Sequence, residues 1–183
     1  MVGKKKVVYA LLVAGGIAML SSGAHAYDGT IDFSGQIVDN TCLINGNQAP
    51  DQLSVVLPTV SKSTLPTVGA WGGRTPFQIK LTQCPVGANV ATYFEPDTTT
   101  NFTTGTLKNT IGTGAATGVE VRLRNKAFGK IQLGKSLAEQ GGIAEAVDAN
   151  GNANLNYFAE YEAIGVVTSG QVASRVAYTL QYQ

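Results

Sequence analysis

Few residues in this chain could carry covalent or acid–base chemistry. His25 is the single histidine, and Cys42 and Cys84 are the only cysteines. Without a histidine in the body of the chain, general-base work would fall to carboxylates, Lys or Tyr. Glu160 and Glu162 share a parity on one strand-like run, a pattern that marks a solvated sheet face rather than an acid–base pair. No Gly-x-Ser-x-Gly nucleophile elbow occurs. Gly129 to Ser136 fits the P-loop pattern letter for letter. A P-loop needs a buried strand before it and a real helix after it. Here Ile131 and Leu133 alternate like a strand, and Gly141-Gly142 follow within a turn or two. Asp148-Ala-Asn150-Gly151-Asn152 looks faintly like a calcium loop, but the glutamate and its spacing are wrong. Asn150-Gly151 reads better as a turn. The Asn101-Phe102-Thr103 sequon has meaning mainly in eukaryotic secretion, and we take it as chance. We expect no catalysis, no cofactor, no metal and no nucleotide.

The elements that surround these residues explain why chemistry is sparse. Lys4, Lys5 and Lys6 precede an apolar run, Val7 to Leu20, which is 14 residues long. That run is short for a membrane span, and Ala24-His25-Ala26 supplies a small-x-small cleavage site. Residues 1–26 therefore read as a signal peptide, with cleavage after Ala26. A retained anchor is the competing reading, and cleavage after Ala24 the secondary one. Losing this segment removes the histidine and three lysines, which takes the formal charge from +1 to −2. No basic patch for nucleic acid survives. In an exported chain two cysteines read as one disulfide, Cys42–Cys84. Two free thiols or a metal pair are the alternatives, and two cysteines without histidine make a poor zinc site.

The rest reads as strands and turns. The chain is 44% hydrophobic and 14% charged, with 22 Gly, which suits a single all-β domain. From Gly170 to Gln183, Val172, Val176, Tyr178, Leu180 and Tyr182 share one parity. Period-two alternation marks a strand with one buried face. Tyr27, Gly29, Ile31 and Phe33 repeat the pattern near the other end, with Gly29 interrupting the apolar stripe. Phe77 to Leu81, Val90 to Phe94, Val119 to Leu123, Ile131 to Leu133 and Leu155 to Tyr161 also read as strands. Leu53 to Leu57 is an apolar run closed by Pro58. Thr59 to Gly73 reads as loop, with Trp71 in it as an anchor on the sandwich or, alternatively, a ligand-stacking residue. Glu95 to Gly118 reads as exposed hairpin and loop, and Ser136 to Gln140 as a helical turn.

Four features in order point to a family: Gly35-x-Ile37-x4-Cys42, Cys84 after an alternating strand, Gly170 fourteenth from the end, and the penultimate Tyr182. Over the whole mature chain, the sequence resembles the major subunits of chaperone–usher fimbriae of the type 1-like group. The resemblance implies an incomplete immunoglobulin-like sandwich completed by a strand donated from a neighbouring subunit. Its organisation would be a leader (1–26), a donor-strand extension (27–34) and a pilin domain (35–183). Tyr27, Gly29, Ile31 and Phe33 would be donor residues. Gly170, Val172, Val176, Tyr178, Leu180 and Tyr182 would form the strand that contacts the chaperone and then the next subunit. Implied partners are identical or related subunits, a periplasmic chaperone and an outer-membrane usher, and the product is a fimbria on the cell surface that contributes to adhesion. A minor or adaptor fimbrial subunit and a self-contained secreted carbohydrate-binding module are the alternative functions.

Overall fold

The computed structural model describes residues 31–33 and 42–182. The expected leader, Tyr27, Gly29 and the Gly35-to-Thr41 stretch lie outside the described residues.

Two antiparallel sheets face each other. The larger has the order β1-β2-β8-β6-β5-β4 and the smaller β7-β3-β9. The strands are β1 (Leu43–Ile44), β2 (Trp71–Thr82), β3 (Asn89–Glu95), β4 (Thr100–Asn101), β5 (Thr106–Lys108), β6 (Val119–Asn125), β7 (Glu145–Ala146), β8 (Ala153–Ala163) and β9 (Ala177–Tyr182). β8 shows why the large sheet forms. Ala153, Leu155, Tyr157, Ala159 and Ala163 alternate inward and are buried, while Asn154 and Asn156 point out. Flanked by β2 and β6 along its length, it carries the inner face on which Phe94 of β3 packs edge-on to Tyr157, centroids 5.2 Å apart. The core runs between the sheets from Cys42 and Cys84 through Ile79, Leu123 and Leu155 to Leu107 and Val121. Cys42 and Cys84 are bonded, with Cα atoms 4.3 Å apart. Across the 42 residues of sequence separation the cross-link stabilises by about 4 kcal/mol in the chain-entropy account.

Three sequence expectations need correction. Ile131 and Leu133 are buried but not in a strand. Their irregular backbone is satisfied instead by single bonds, Ile131 N–H to Leu123 O and Leu133 N–H to Gly105 O, so alternation here reflects packing without a ladder. Trp71 is not in a loop: it opens β2, opposite Glu162 of β8. The Glu95-to-Gly118 region is only partly exposed, because Thr99 and, within the β4–β5 hairpin itself, Thr100, Thr106 and Leu107 are buried. The helical turn is present as α1 (Leu137–Gln140), ended by Gly141 at φ 86°, where a Cβ would be strained.

Candidate functional site: an apolar groove beside an open strand edge

The C-terminal strand is shorter than its alternation. Pairing with β3 covers Ala177 to Tyr182. Residues 171–176 lie outside that ladder and are held by scattered bonds: Ala116 N–H to Gln171 O, Thr110 N–H to Ala173 O and Thr99 Oγ1 to Arg175 O. Gly170 stands outside the strand and is exposed. A Cβ there would sit 2.3 Å from Ala116 N, so this glycine is required by a close backbone approach. Val172, Val176, Tyr178, Leu180 and Tyr182 all lie partly buried against the core, on the shared face that their parity implied.

β9 is an edge strand, and the hydrogen bonds of its neighbour say which of its groups are free. Gln140 of α1 is fully buried and grips Phe94 twice, accepting from its N–H (2.8 Å) and donating to its carbonyl (2.9 Å). Phe94 therefore turns its backbone away from β9, and its cross-strand partner Tyr178 is a non-hydrogen-bonded position. In an antiparallel pair such residues point their N–H and C=O outward. Tyr178 and Leu180 thus present backbone donors and acceptors to the open edge.

Facing that edge is a second unpartnered segment. Among the described residues, 51–60 make no backbone–backbone hydrogen bond. Val55 and Leu57 nonetheless turn inward onto the core while Val56 stands 83% exposed, which is strand alternation without a ladder. Between the two runs lies a groove of about 1040 Å³. Ile79, Phe94, Leu123 and Ala159 floor it, Val55 and Leu57 form one wall, and Val176 and Tyr178 form the other. Its volume is at the upper limit for a small-molecule pocket, and its form is a trough. Ser174 Oγ and Tyr178 Oη, both on the groove wall, have no hydrogen-bond partner among the described residues. Burial pushes the Tyr178 hydroxyl to a higher pKa. The trough has what a β-strand needs: an apolar floor for alternate side chains and free backbone groups along an edge.

Residues 57–183 match the type-1 fimbrial protein A family, FimA. The chain belongs to that family. Among fimbrial relatives, it is 46% identical over 169 residues to the major fimbrial subunit SMF-1 of Stenotrophomonas maltophilia, covering 91% of this chain and 99% of that one. It is 42% identical over 172 residues to the F17 fimbrial protein of Escherichia coli, covering 91% and 93%. A type I fimbria protein of Burkholderia pseudomallei superposes with a TM-score of 0.52 at 29% identity, covering 84% of this chain and 97% of that one. The P pilus rod subunit PapA shares the fold, with a TM-score of 0.57 at 23% identity over 78% and 99%.

The acidic residues of this fimbrial subunit have a structural place. Glu160 was read from its alternation as part of a wet face, and the structure overturns that: the side chain has 0% exposure. Arg122, its register partner on β6, donates from Nε at 2.6 Å, Arg74 of β2 donates at 2.8 Å, and Arg124 also donates. Burial pushes the carboxyl up, but the bonds from Arg124 and Arg74 and the charge and bond of Arg122 outweigh it and hold it below its usual range. Trp71 lies over Arg74, 4.1 Å from guanidinium to ring centroid. A carboxylate so held is a tie between strands and a poor proton donor. Asp148 is likewise occupied, accepting the N–H groups of Asn150 and Asn152 through Oδ1, which makes 148–152 a turn. In the P-loop-like stretch Lys135 is exposed and the following helix has four residues, too short to cradle phosphates.

Sequence reasoning missed the wall formed by 51–57 and the latch made by Gln140. The Val55/Leu57 alternation flanked by Pro50 and Pro58 was the available signal for the first. Nothing local marks Gln140.

Proposed function

We propose that this fimbrial subunit builds the fibre by inserting its own segment Tyr27–Phe33 into the groove of the next copy. The subunit is a structural, non-catalytic component of a surface fimbria. Residues 1–26 are its export signal, 27–34 the donor extension and 35–183 the pilin domain. A periplasmic chaperone covers the groove first, and at the outer-membrane usher the incoming extension replaces it. The observation that carries this reading is the pairing of an open apolar trough with exposed apolar residues elsewhere in the same chain: Ile31 is 79% exposed and Phe33 91%. Buried in a neighbour's groove, each contributes roughly 1.5–3 kcal/mol. Gly29 takes a shallow position that leaves no room for a side chain.

The position of Cys42 also favours one strand direction. Tyr182 Oη accepts the Cys42 N–H at 3.2 Å, so Cys42 lies at the pole where β9 finishes. Val172 lies ten residues back along the chain, roughly 33 Å at full extension. A donor parallel to β9 would bring the neighbour's body to the pole that this subunit's own Cys42 occupies. An antiparallel donor brings it to the opposite pole. The contact then joins unlike surfaces, does not close, and propagates a fibre.

The test is a fibre assay with Gly29→Arg as the only copy of the subunit. The variant should fold, bind its chaperone and accept a strand, yet fail to donate one, so fibres are lost. Fibres of normal length would refute the donor assignment.

A further inference from the structure

We propose a second contact between neighbouring copies, in which the end of the subunit bearing Val68, Ile164 and Val166 docks on the Cys42–Cys84 pole of the next copy around Val86. The inference rests on the antiparallel donor-strand reading above.

Isolated exposed apolar side chains are ordinary, but these are held out on braced loops. Val166 is 90% exposed, Val68 70% and Ile164 37%. The N–H groups of Ile164 and Gly165 both donate to Gly118 O, at 2.8 and 3.2 Å, and Thr168 N–H donates to Thr117 O. Thr117 N–H returns a bond to Thr168 Oγ1 at 2.9 Å. A Cβ on Gly118, at φ +69°, would stand 2.2 Å from Val166 O, so the loop backbone rests directly on that glycine. The turn carrying Val68 is tied to the same place by Gly69 N–H to Ala163 O at 2.8 Å. Because the loops are already ordered, little conformational entropy remains to be lost on docking.

The face is continuous with the groove mouth. Beneath it lies the cluster of Leu65, Ala116, Val119 and Ala163, against which Tyr161 and Val172 pack, and those two residues also line the groove. A neighbour whose strand exits here is tethered close by. Eight residues separate Phe33 from Cys42, so the body lies within about 30 Å of the exit, at high effective concentration. Its nearest surface is the Cys42 pole, where the turn after Cys84 presents Val86 at 66% exposure. Residues 66–70, 164–168, 85–88 and 45–48 contain no Asp, Glu, Lys or Arg; the charges bordering the Cys42 pole are Asp51, which accepts from the Asn45 and Asn47 amides, and Asp148 in the turn bonded to Cys84. The contact segments themselves are uncharged, each with a protruding valine, and suit each other better than either suits water.

The experiment introduces Val166→Cys together with Val86→Cys, then oxidises assembled fibres. We expect a ladder of covalent multimers that survives boiling and collapses on reduction. Phe102→Cys with Val86→Cys, which places an exposed residue on the β4–β5 turn instead, should give none. In a second arm, Val68→Asp with Val166→Asp should still bind a synthetic peptide of residues 27–41 as the unmodified subunit does. Its fibres should have a shorter persistence length, or fail to form. Absence of the 166–86 ladder from fibres that do form, or unchanged persistence in the double variant, overturns the proposal. Failure of the underlying reading is seen separately, as normal fibres from Gly29→Arg.

Discussion

A fully buried carboxylate on the outer face of a sheet needs partners, and Glu160 has three arginines. Removing it leaves Arg122, itself 6% exposed, without its nearer counter-charge, Glu162 at 3.4 Å being the one that remains. Breaking a buried ion pair from one side costs about 3–5 kcal/mol. Glu160→Ala should lower the stability of the strand-complemented subunit by that amount, read from the midpoint shift in urea. The pH dependence has a definite sign. The folded carboxyl titrates below its ordinary value of 4.5, so its contribution is complete above that value and is lost as pH falls below it. Asp97 acts in the same direction, held low by the Thr99 hydroxyl and backbone N–H. Acid titration of unfolding should therefore steepen below about pH 4.5, and Glu160→Gln should flatten that loss. A variant with an unchanged acid profile would show that the arginines are satisfied elsewhere.

At the level of elements, α1 is a short helix with one task. Its four residues bury only Gln140, whose amide takes the place of a neighbouring strand for Phe94. That substitution satisfies Phe94 beyond the reach of β7, which pairs only with Asn89 and Val90. Gln140→Leu keeps the volume and removes both bonds. Each orphaned backbone group costs about 1–3 kcal/mol, so the variant should unfold at distinctly lower urea. Because Phe94 sets the hydrogen-bonding phase of β9, the same variant should also accept donor peptide more weakly. Equal stability and equal peptide affinity would remove Gln140 from this role.

For the whole molecule, the open groove makes stability depend on a second chain. The apolar floor and the free edge of β9 are costs to the isolated subunit. Whatever binds the native state alone raises its apparent stability with concentration. We expect the mature subunit without chaperone or donor to unfold at low denaturant or aggregate, and a peptide of residues 27–41 to raise its Tm in a dose-dependent way. A free subunit that unfolds cooperatively with high stability would mean that the groove is not a missing strand.

Parity along the chain determined which side chains of the C-terminal run face inward, since a strand turns alternate residues to opposite faces whatever surrounds it. The cysteine pair and the export pattern likewise determined the disulfide, and the resemblance carried by Gly35, Cys42, Gly170 and Tyr182 pointed to an incomplete sandwich. What only the tertiary structure decided is who stands beside each strand. Glu160 and Glu162 alternate as solvated acids do, yet the topology brings Arg122 and Arg124, more than thirty residues away in sequence, and Arg74, 86 residues away, onto the same face. Ile131 and Leu133 alternate as strand residues do, yet no ladder reaches them. The run 51–57 became a groove wall because the described residues supply it no partner. Hydrophobic alternation is a property of a few consecutive residues, whereas pairing is a property of the sheet order, and the sheet order here leaves β9 at an edge with a trough beside it.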